Sequence, residues 1–342
     1  MISMLAPSLT YVIAGQLRRD FVLFPDGNAM LDVPGGNLIY AGIGLAIWQP
    51  EVMPGFVARI GEDFPHEWLE RLKSLGFDIR GIRIMPDALD LRSFYVYVDR
   101  TRRLIDDPVA HFARLGQQLP KSLLNYRAKP GGYDSRTSLS PTSLRRGDFP
   151  DDFLNASAAH LCPVDYLTHA LLSAVLRQAG FTTVTLDPPA GTMTPNFWNE
   201  IPALVSGLTA FLPSEEEMRG LFHGRSTDLW EMAEAVGGYG CEFVIIKRGE
   251  SGQYLYDAVT KTRWEMSAYP ARVTDPTGAG DAFCGGFLIG YRRTYDPLQA
   301  VLHGAISASL VIEGSGPFYA MDALPGLAQA RLEALRESVH RV

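Results

Sequence analysis

The strongest constraint on how this chain can fold is a rhythm of short, uninterrupted apolar runs separated by longer amphipathic stretches. "YVIAG" (11–15), "AAHLCPV" (158–164), "TTVTLDPP" (182–189), "ALVSGLTAFLP" (203–213) and "EFVIIKRG" (242–249) each end in turn signals, as strands buried on both faces do. Between two of them, "YLTHALLSAVLRQAG" (166–180) sets Leu167, Ala170, Leu171, Ala174 and Val175 on one helical face, with Gly180 where the helix would stop. Strand and helix alternating at this spacing predict an α/β fold, a mostly parallel sheet with helices on both faces. At 342 residues the length suggests two domains, although α/β folds often run this long as one unit.

Two regions break the rhythm. "RDFVLFPDGNAMLDVPGG" (19–36) and "GIRIMPDALDLRSFYVYVDRTRRLI" (81–105) alternate like half-exposed strands with tight turns, and predict a small antiparallel sheet standing off the main body. The boundaries expected for this discontinuous lid are about 18–34 and 81–103. Phe94, Tyr95 and Tyr97 alternate along it, so some face solvent or a partner lid, and an exposed apolar face of that kind invites a homodimer. Residues 104–155 include "KPGGYDSRTSLSPTSLRRGDFPDD", rich in Pro, Gly, Ser and Arg, and read as an irregular insertion.

Several function classes drop out. A formal charge of −7 offers no basic excess to neutralise nucleic-acid phosphates. No uncharged apolar stretch reaches the roughly 18 residues of a membrane span. "MISMLAPSLTYVIAG" lacks the charged start and long apolar core of a secretory signal, so the expected location is the cytoplasm. Cys162, Cys241 and Cys284, odd in number and in apolar surroundings, fit buried thiols of a reducing compartment. The seven histidines form no zinc-spaced cluster.

The chemistry concentrates in "VTDPTGAGDAFCGGFLIGY" (273–291). A strand-like run passes through a loop of small residues and two acids into a helix on which Phe283, Phe287 and Tyr291 recur at four-residue spacing. Small residues at a helix N-terminus let a ligand reach the backbone, and the N–H groups of Ala279, Gly280 and Asp281 would converge on an anion. Asp281 alone would be a helix cap. With Gly278, Gly280 and Asp275 beside it, the arrangement suits phosphoryl transfer: backbone donors stabilise the moving group and a carboxylate takes the proton of the attacking hydroxyl. Walker A and GxGxxG patterns are absent.

"DPTGAGDAFCGGF" resembles the C-terminal signature of the ribokinase-like (PfkB) carbohydrate kinases. Other landmarks resemble the family in order: "AGQLRRD" (14–20), "PGGNLIYAGIGLA" (34–46), "VARIGEDF" (57–64), "LPSEEEM" (212–218) and "VIIKRGESG" (244–252). The resemblance spans nearly the whole chain except about 104–155. It implies a ribokinase-like fold with a β-sheet lid, and an ATP- and Mg²⁺-dependent kinase acting on an alcohol group of a small sugar or sugar-like molecule. Asp281 would be the catalytic base and Gly278, Ala279 and Gly280 the anion hole. Asp20, Gly35 and Gly36 would hold sugar hydroxyls, with Arg18 and Tyr40 beside them. Glu217 would organise Mg²⁺ through water. Lys247, Gly249 and Gly252 would lie along ATP. His303, Gly304 and Ala308, with Gly314 in the following turn, would form the adenine wall. Asp275 and Thr277 stand where many members hold a monovalent cation such as K⁺.

Departures from the pattern bear on the acceptor. Ser214 replaces an asparagine, Lys247 a threonine, Tyr40 an asparagine of sugar-binding members, and Arg18 a smaller amide. Arg18 would favour an acidic acceptor through bidentate pairing; Arg92, Arg100, Arg102 and Arg103 read mostly as solvated lid residues, the alternative being that one of these arginines pairs with a carboxylate or phosphate on the acceptor. Two alternatives stay open: a nucleoside kinase of the same fold, with Tyr40 or a lid aromatic stacked on the base, and a kinase-like binding protein without catalysis.

Overall fold

The computed structural model describes residues 9–99, 102–128 and 136–342; Arg100 lies outside them. From the N-terminus, β1 (Tyr11–Ala14) leads into β2 (Arg18–Leu23), β3 (Ala29–Gly35) and α1 (Asn37–Ala46). β4 (Gly55–Gly61), α2 (His66–Ser74) and β5 (Asp78–Met85) follow, then β6 (Arg92–Tyr97), β7 (Arg103–Leu104) and α3 (Pro108–Arg114). The second half alternates through β8 (Ala158–Leu161), α4 (Tyr166–Gln178), β9 (Thr183–Leu186), α5 (Ile201–Val205), β10 (Ala210–Phe211), α6 (Glu215–Leu221), α7 (Leu229–Gly237) and β11 (Phe243–Lys247). β12 (Gln253–Asp257), β13 (Thr262–Met266), α8 (Ala279–Thr294), α9 (Pro297–Val311), α10 (Leu327–Leu335) and β14 (His340–Arg341) complete the chain.

The main sheet has the order β14-β13-β12-β11-β10-β9-β8-β1-β4-β5. From β11 to β5 every neighbouring pair is parallel, and β12, β13 and β14 add an antiparallel edge. Apolar side chains of alternating strand positions feed two cores. One lies under α1, α8 and α9 with Phe283, Phe287 and Ile306, and the other under α4 to α7 with Leu172, Leu176, Met218 and Met232. α1 and α8 approach at backbone contact: a Cβ on Gly285 would meet the Ala41 carbonyl oxygen at 1.8 Å. That approach carries the diglycine turn before α1 up to the signature loop before α8.

Sequence expectation and structure part company in places. Within 203–213 only Ala210–Phe211 is strand, because the run first closes α5 and then turns at Gly207, whose φ is +74°. α4 forms as expected, but buries Thr168, His169, Leu172, Ser173 and Leu176, while Leu171 is exposed. Thr168 and His169 are accommodated by bonds to Asp165 and to the Cys162 carbonyl, so hydropathy alone misplaces the face by one position.

The small sheet has the order β3-β2-β6-β7. Its second segment starts at Arg92, since β5 pairs with β4 at the end of the main sheet; only the exposure of an end strand makes residues 81–85 resemble the lid. β2 and β6 pair in parallel, so the sheet is mixed where an antiparallel one was expected. The expected free apolar face is covered by the chain itself: Phe112, Leu123 and Tyr126 pack on Phe21, Leu23 and Phe94. Farther along the insertion, Leu144, Phe149 and Phe153 enter the main core. Arg59 grips Asp148 there in a buried two-pronged ion pair at 2.8 and 2.9 Å.

Candidate active site

Ligands of open α/β sheets bind beyond the carboxyl ends of the strands, where the strand order reverses. Here the chain winds outward from β1 through β4 and β5, then returns to β8 on the other side of β1, so the crevice lies between β1 and β8. Asn37, the first residue of α1, bridges it: its Oδ1 accepts from Gln16 N–H at 2.7 Å, and its Nδ2 donates to the Pro163 carbonyl at 2.7 Å. Above it opens a cavity of about 720 Å³.

Arg18, Asp20, Gly36, Tyr40, Thr277, Gly278 and Asp281, separated by up to about 260 residues of chain, all line this one cavity. β2 delivers Asp20 to its inner side, where the carboxylate is 3% exposed and accepts from the Gly36 N–H. Gly35 is obligatory there, since a Cβ would fall 1.9 Å from Asp20 Oδ2. Burial raises the Asp20 carboxyl to about 7, against the pull of Arg18 and Arg103, and its Oδ1 has no hydrogen-bond partner among the described residues. Arg18 donates to Gln16 Oε1 at the same wall.

The signature loop ends in Gly278, with φ of +76°, and α8 begins at Ala279. The Tyr40 ring lies directly over that glycine: a Cβ would meet it at 2.1 Å. Tyr40 is thus a packing support of the loop, 3% exposed, and its ring face is not free to stack on a nucleobase. The Ala279 N–H bonds to the Pro276 carbonyl at 3.3 Å, while Gly280 and Asp281 stand in the open first turn. Asp275 braces the loop by accepting from Thr277 N–H at 3.0 Å and Gly316 N–H at 3.5 Å. The Thr277 hydroxyl meets the Tyr97 hydroxyl of the small sheet at 3.0 Å.

Asp281 sits in the first turn of α8 with its carboxyl toward the cavity. Burial raises it to about 6, while Lys247 and Arg103 pull the other way. Lys247, at the end of β11, donates to Asp187 Oδ2 at 2.6 Å, and its ammonium would stand 3.5 Å from a Cβ on Gly280. Burial opposes its charge, but Asp187, Cys284 and Glu217 together hold the ammonium above its ordinary value. Glu217 is pushed to about 7 by burial and by nearby Asp187, against Lys247. Ser214 caps α6 and shares a capping box with Glu217: Ser214 N–H donates to Glu217 Oε2 at 2.7 Å, and Glu217 N–H donates to Ser214 Oγ at 3.2 Å. The serine therefore performs the capping task itself.

Most of the other residues expected along the nucleotide also pack against neighbours. His303 lies against Trp48, with ring centroids 4.2 Å apart, and bonds the Gln299 carbonyl. Gly304 meets the Phe283 carbonyl and Gly314 the Tyr319 ring. Ala308 packs at the edge of the core, and Gly252 makes the close turn onto Met266. Gly249 is open, with φ of +55° and no atom within 4 Å of an added Cβ. None of these lines the cavity. Sequence reading missed Asn37, Asp187 and Tyr97; Arg103, expected as a solvated lid residue, is exposed and lines the cavity. Only "DPP" after a strand carried a signal, and it read as a turn.

A carboxylate, an ammonium and a helix N-terminus around one small-residue loop can stabilise a transferring phosphoryl group and take up a proton. The sequence pattern of the pfkB family carbohydrate kinases matches residues 150–323. The chain belongs to that family. The cytidine kinase of Thermococcus kodakarensis is 28% identical over 294 residues, covering 83% of this chain and 89% of that protein. A 5-dehydro-2-deoxygluconokinase of Geobacillus kaustophilus is 31% identical over 115 residues, 34% of this chain and 33% of that one. The ribokinase of Arabidopsis thaliana, solved with ribose and ATP, shares the fold at a TM-score of 0.67 and 18% identity, covering 96% of this chain and 99% of that one. The α/β architecture with a separate small sheet is the ribokinase fold, and the chain is a pfkB-family kinase.

Proposed function

We propose that this kinase transfers the terminal phosphoryl group of ATP to the hydroxymethyl group of a ribonucleoside. The observation that carries the reaction is the convergence of Asp20 and Asp281 on one cavity whose floor is the open first turn of α8. Asp20, with an unpartnered buried oxygen, and the Gly36 turn hold ring hydroxyls. That leaves the hydroxymethyl group toward Asp281, which accepts its proton as the phosphorus–oxygen bond forms.

The residues fit ATP and Mg²⁺. Lys247 puts a fixed positive charge beside Gly280, and Asp187, with a buried unpartnered Oδ1, stands with Glu217 as a carboxylate pair suited to an ion that keeps its water. When bound, ATP with Mg²⁺ supplies the phosphoryl group. Thr277 and Asp275 hold the loop in register for it, and the small sheet roofs the cavity against water.

Support for a nucleoside comes from the far wall. The cavity runs past Asp20 to Tyr126, Arg127 and Ser140–Thr142 of the insertion, farther than a lone sugar on Asp20 would use. Near-full-length similarity to a cytidine kinase agrees with an acceptor of two parts. A sugar or sugar acid is the second reading, favoured by Arg18 at the Asp20 wall and by the local match to a 5-dehydro-2-deoxygluconokinase. A panel of nucleosides, sugars and sugar acids, assayed for ATP consumption with the phosphorylated atom located by ³¹P NMR, decides. The expected product is a nucleoside phosphorylated on its hydroxymethyl group. Absence of turnover on every acceptor, with wild type and Asp281→Ala alike, would leave only a binding role.

A further inference from the structure

We infer that Arg103, delivered by the lid strand β7, is a catalytic residue that grips the phosphoryl group in flight between donor and acceptor. The inference rests on the phosphotransfer reading above and adds a group to it.

Strand register points Arg103 inward. Tyr97 and Arg103 are direct cross-strand partners of β6 and β7, so they share a face of the small sheet. Period-two alternation puts Ser93 and Tyr95 on that face with Tyr97, and Ser93 and Tyr95 line the cavity. Phe94 lies on the opposite face under Phe112. The Arg103 guanidinium carbon stands 4.6 Å from the centroid of the Tyr95 ring, a cation–aromatic contact that directs the side chain while leaving its in-plane donors available. The Tyr97 hydroxyl, bonded to Thr277 of the signature loop at 3.0 Å, also interacts with Arg103. One tyrosine thus ties the arginine to the loop that forms the anion cup.

Charge placement says what the arginine faces. Arg103 lines the cavity with Asp20 and Asp281 and acts electrostatically on both carboxyls. The attacking hydroxyl must lie between those two groups, and the moving phosphoryl beside it. The other cations that line the cavity have partners of their own: Arg18 donates to Gln16 Oε1 and acts on Asp20, Arg92 spans Asp90 and the Ser122 and Leu124 carbonyls, and Arg127 reaches Asp107 at 3.8 Å; Lys247, beside Gly280, holds Asp187. Arg103 therefore supplies positive charge from the acceptor side, opposite Lys247. It comes from the lid, so the charge is complete only when Tyr97 meets Thr277, which couples lid closure to chemistry.

The test uses ADP with orthovanadate as a mimic of the transferring group, read by calorimetry, alongside steady-state kinetics. For Arg103→Ala and Arg103→Lys we expect vanadate affinity to fall at least about tenfold with ADP affinity unchanged, and kcat to fall about 10²-fold with acceptor KM within about threefold. Guanidinium ion added to Arg103→Ala should restore part of the lost rate and none to Arg103→Lys. Unchanged vanadate affinity, or a raised acceptor KM at constant kcat, overturns the assignment. ADP binding with normal vanadate affinity in both variants, while Asp281→Asn loses turnover, defeats Arg103 alone. Wild-type protein that binds no ADP defeats the phosphotransfer reading and Arg103 with it.

Discussion

A carboxyl enclosed as Asp281 is, and raised to about 6 by burial, ionises less readily in the folded chain than in the unfolded one. Between the ordinary carboxylate range near about 4 and that value, the folded state binds more protons, so stability falls as pH rises through this window. Asp281→Asn should accordingly raise Tm by about 2 °C or more at about pH 7.5, and by much less at about pH 4; calorimetry at both pH values checks it, and equal shifts would contradict it. The same group sets the rate profile. Acting as a base, it must be ionised, so kcat/KM should fall about tenfold per pH unit below about 6 and level off above; a profile flat to pH 5 would contradict that. The signature residues were legible in sequence because glycine and acid at a helix start have few other uses. Asp187 and Arg103 were not, because a charged residue at a strand end acquires its meaning only from what the register sets opposite it.

Among elements, the small sheet is the one whose two faces divide structure from chemistry. Phe21, Leu23 and Phe94 face Phe112, while Asp20, Ser93 and Tyr95 face the cavity. Tyr97 is the point where this sheet touches the signature loop. Tyr97→Phe keeps the ring that stacks with Phe24 at 6.0 Å and removes the hydroxyl that meets Thr277 and Arg103. The expected result is a kcat loss of about three- to tenfold from incomplete closure, with Tm unchanged within about 2 °C; a kcat equal to wild type would mean the bond is incidental to closure. Alternation in the sequence was enough to foresee strands here, and to separate them from the buried parallel ones. It could not tell β5 from the lid, since an end strand of the main sheet exposes itself just as a lid strand does.

At the scale of the molecule, residues 104–155 account for most of what sequence reading lost. The anchors Phe112, Leu123, Leu144 and Phe153 are spaced irregularly along the insertion, so no periodicity announces them, yet each is at most 1% exposed. The parallel sheet was legible because its buried strands repeat one composition at a regular interval. With the apolar face of the small sheet already covered, Phe112→Ala should cost about 3 kcal/mol or more locally and raise acceptor KM by loosening the roof. Hydrogen exchange concentrated in β2 and β6 would report it, whereas uniform exchange across the main sheet would show that the cover is not local.

In the proposed mechanism Asp281 takes a proton in phosphoryl transfer and does not hold ATP. Turnover and ATP binding measured together on Asp281→Asn test it most directly. The expected result is a kcat lower by at least about 10²-fold with ATP affinity within about threefold of wild type. An unchanged kcat with weakened ATP binding would contradict it.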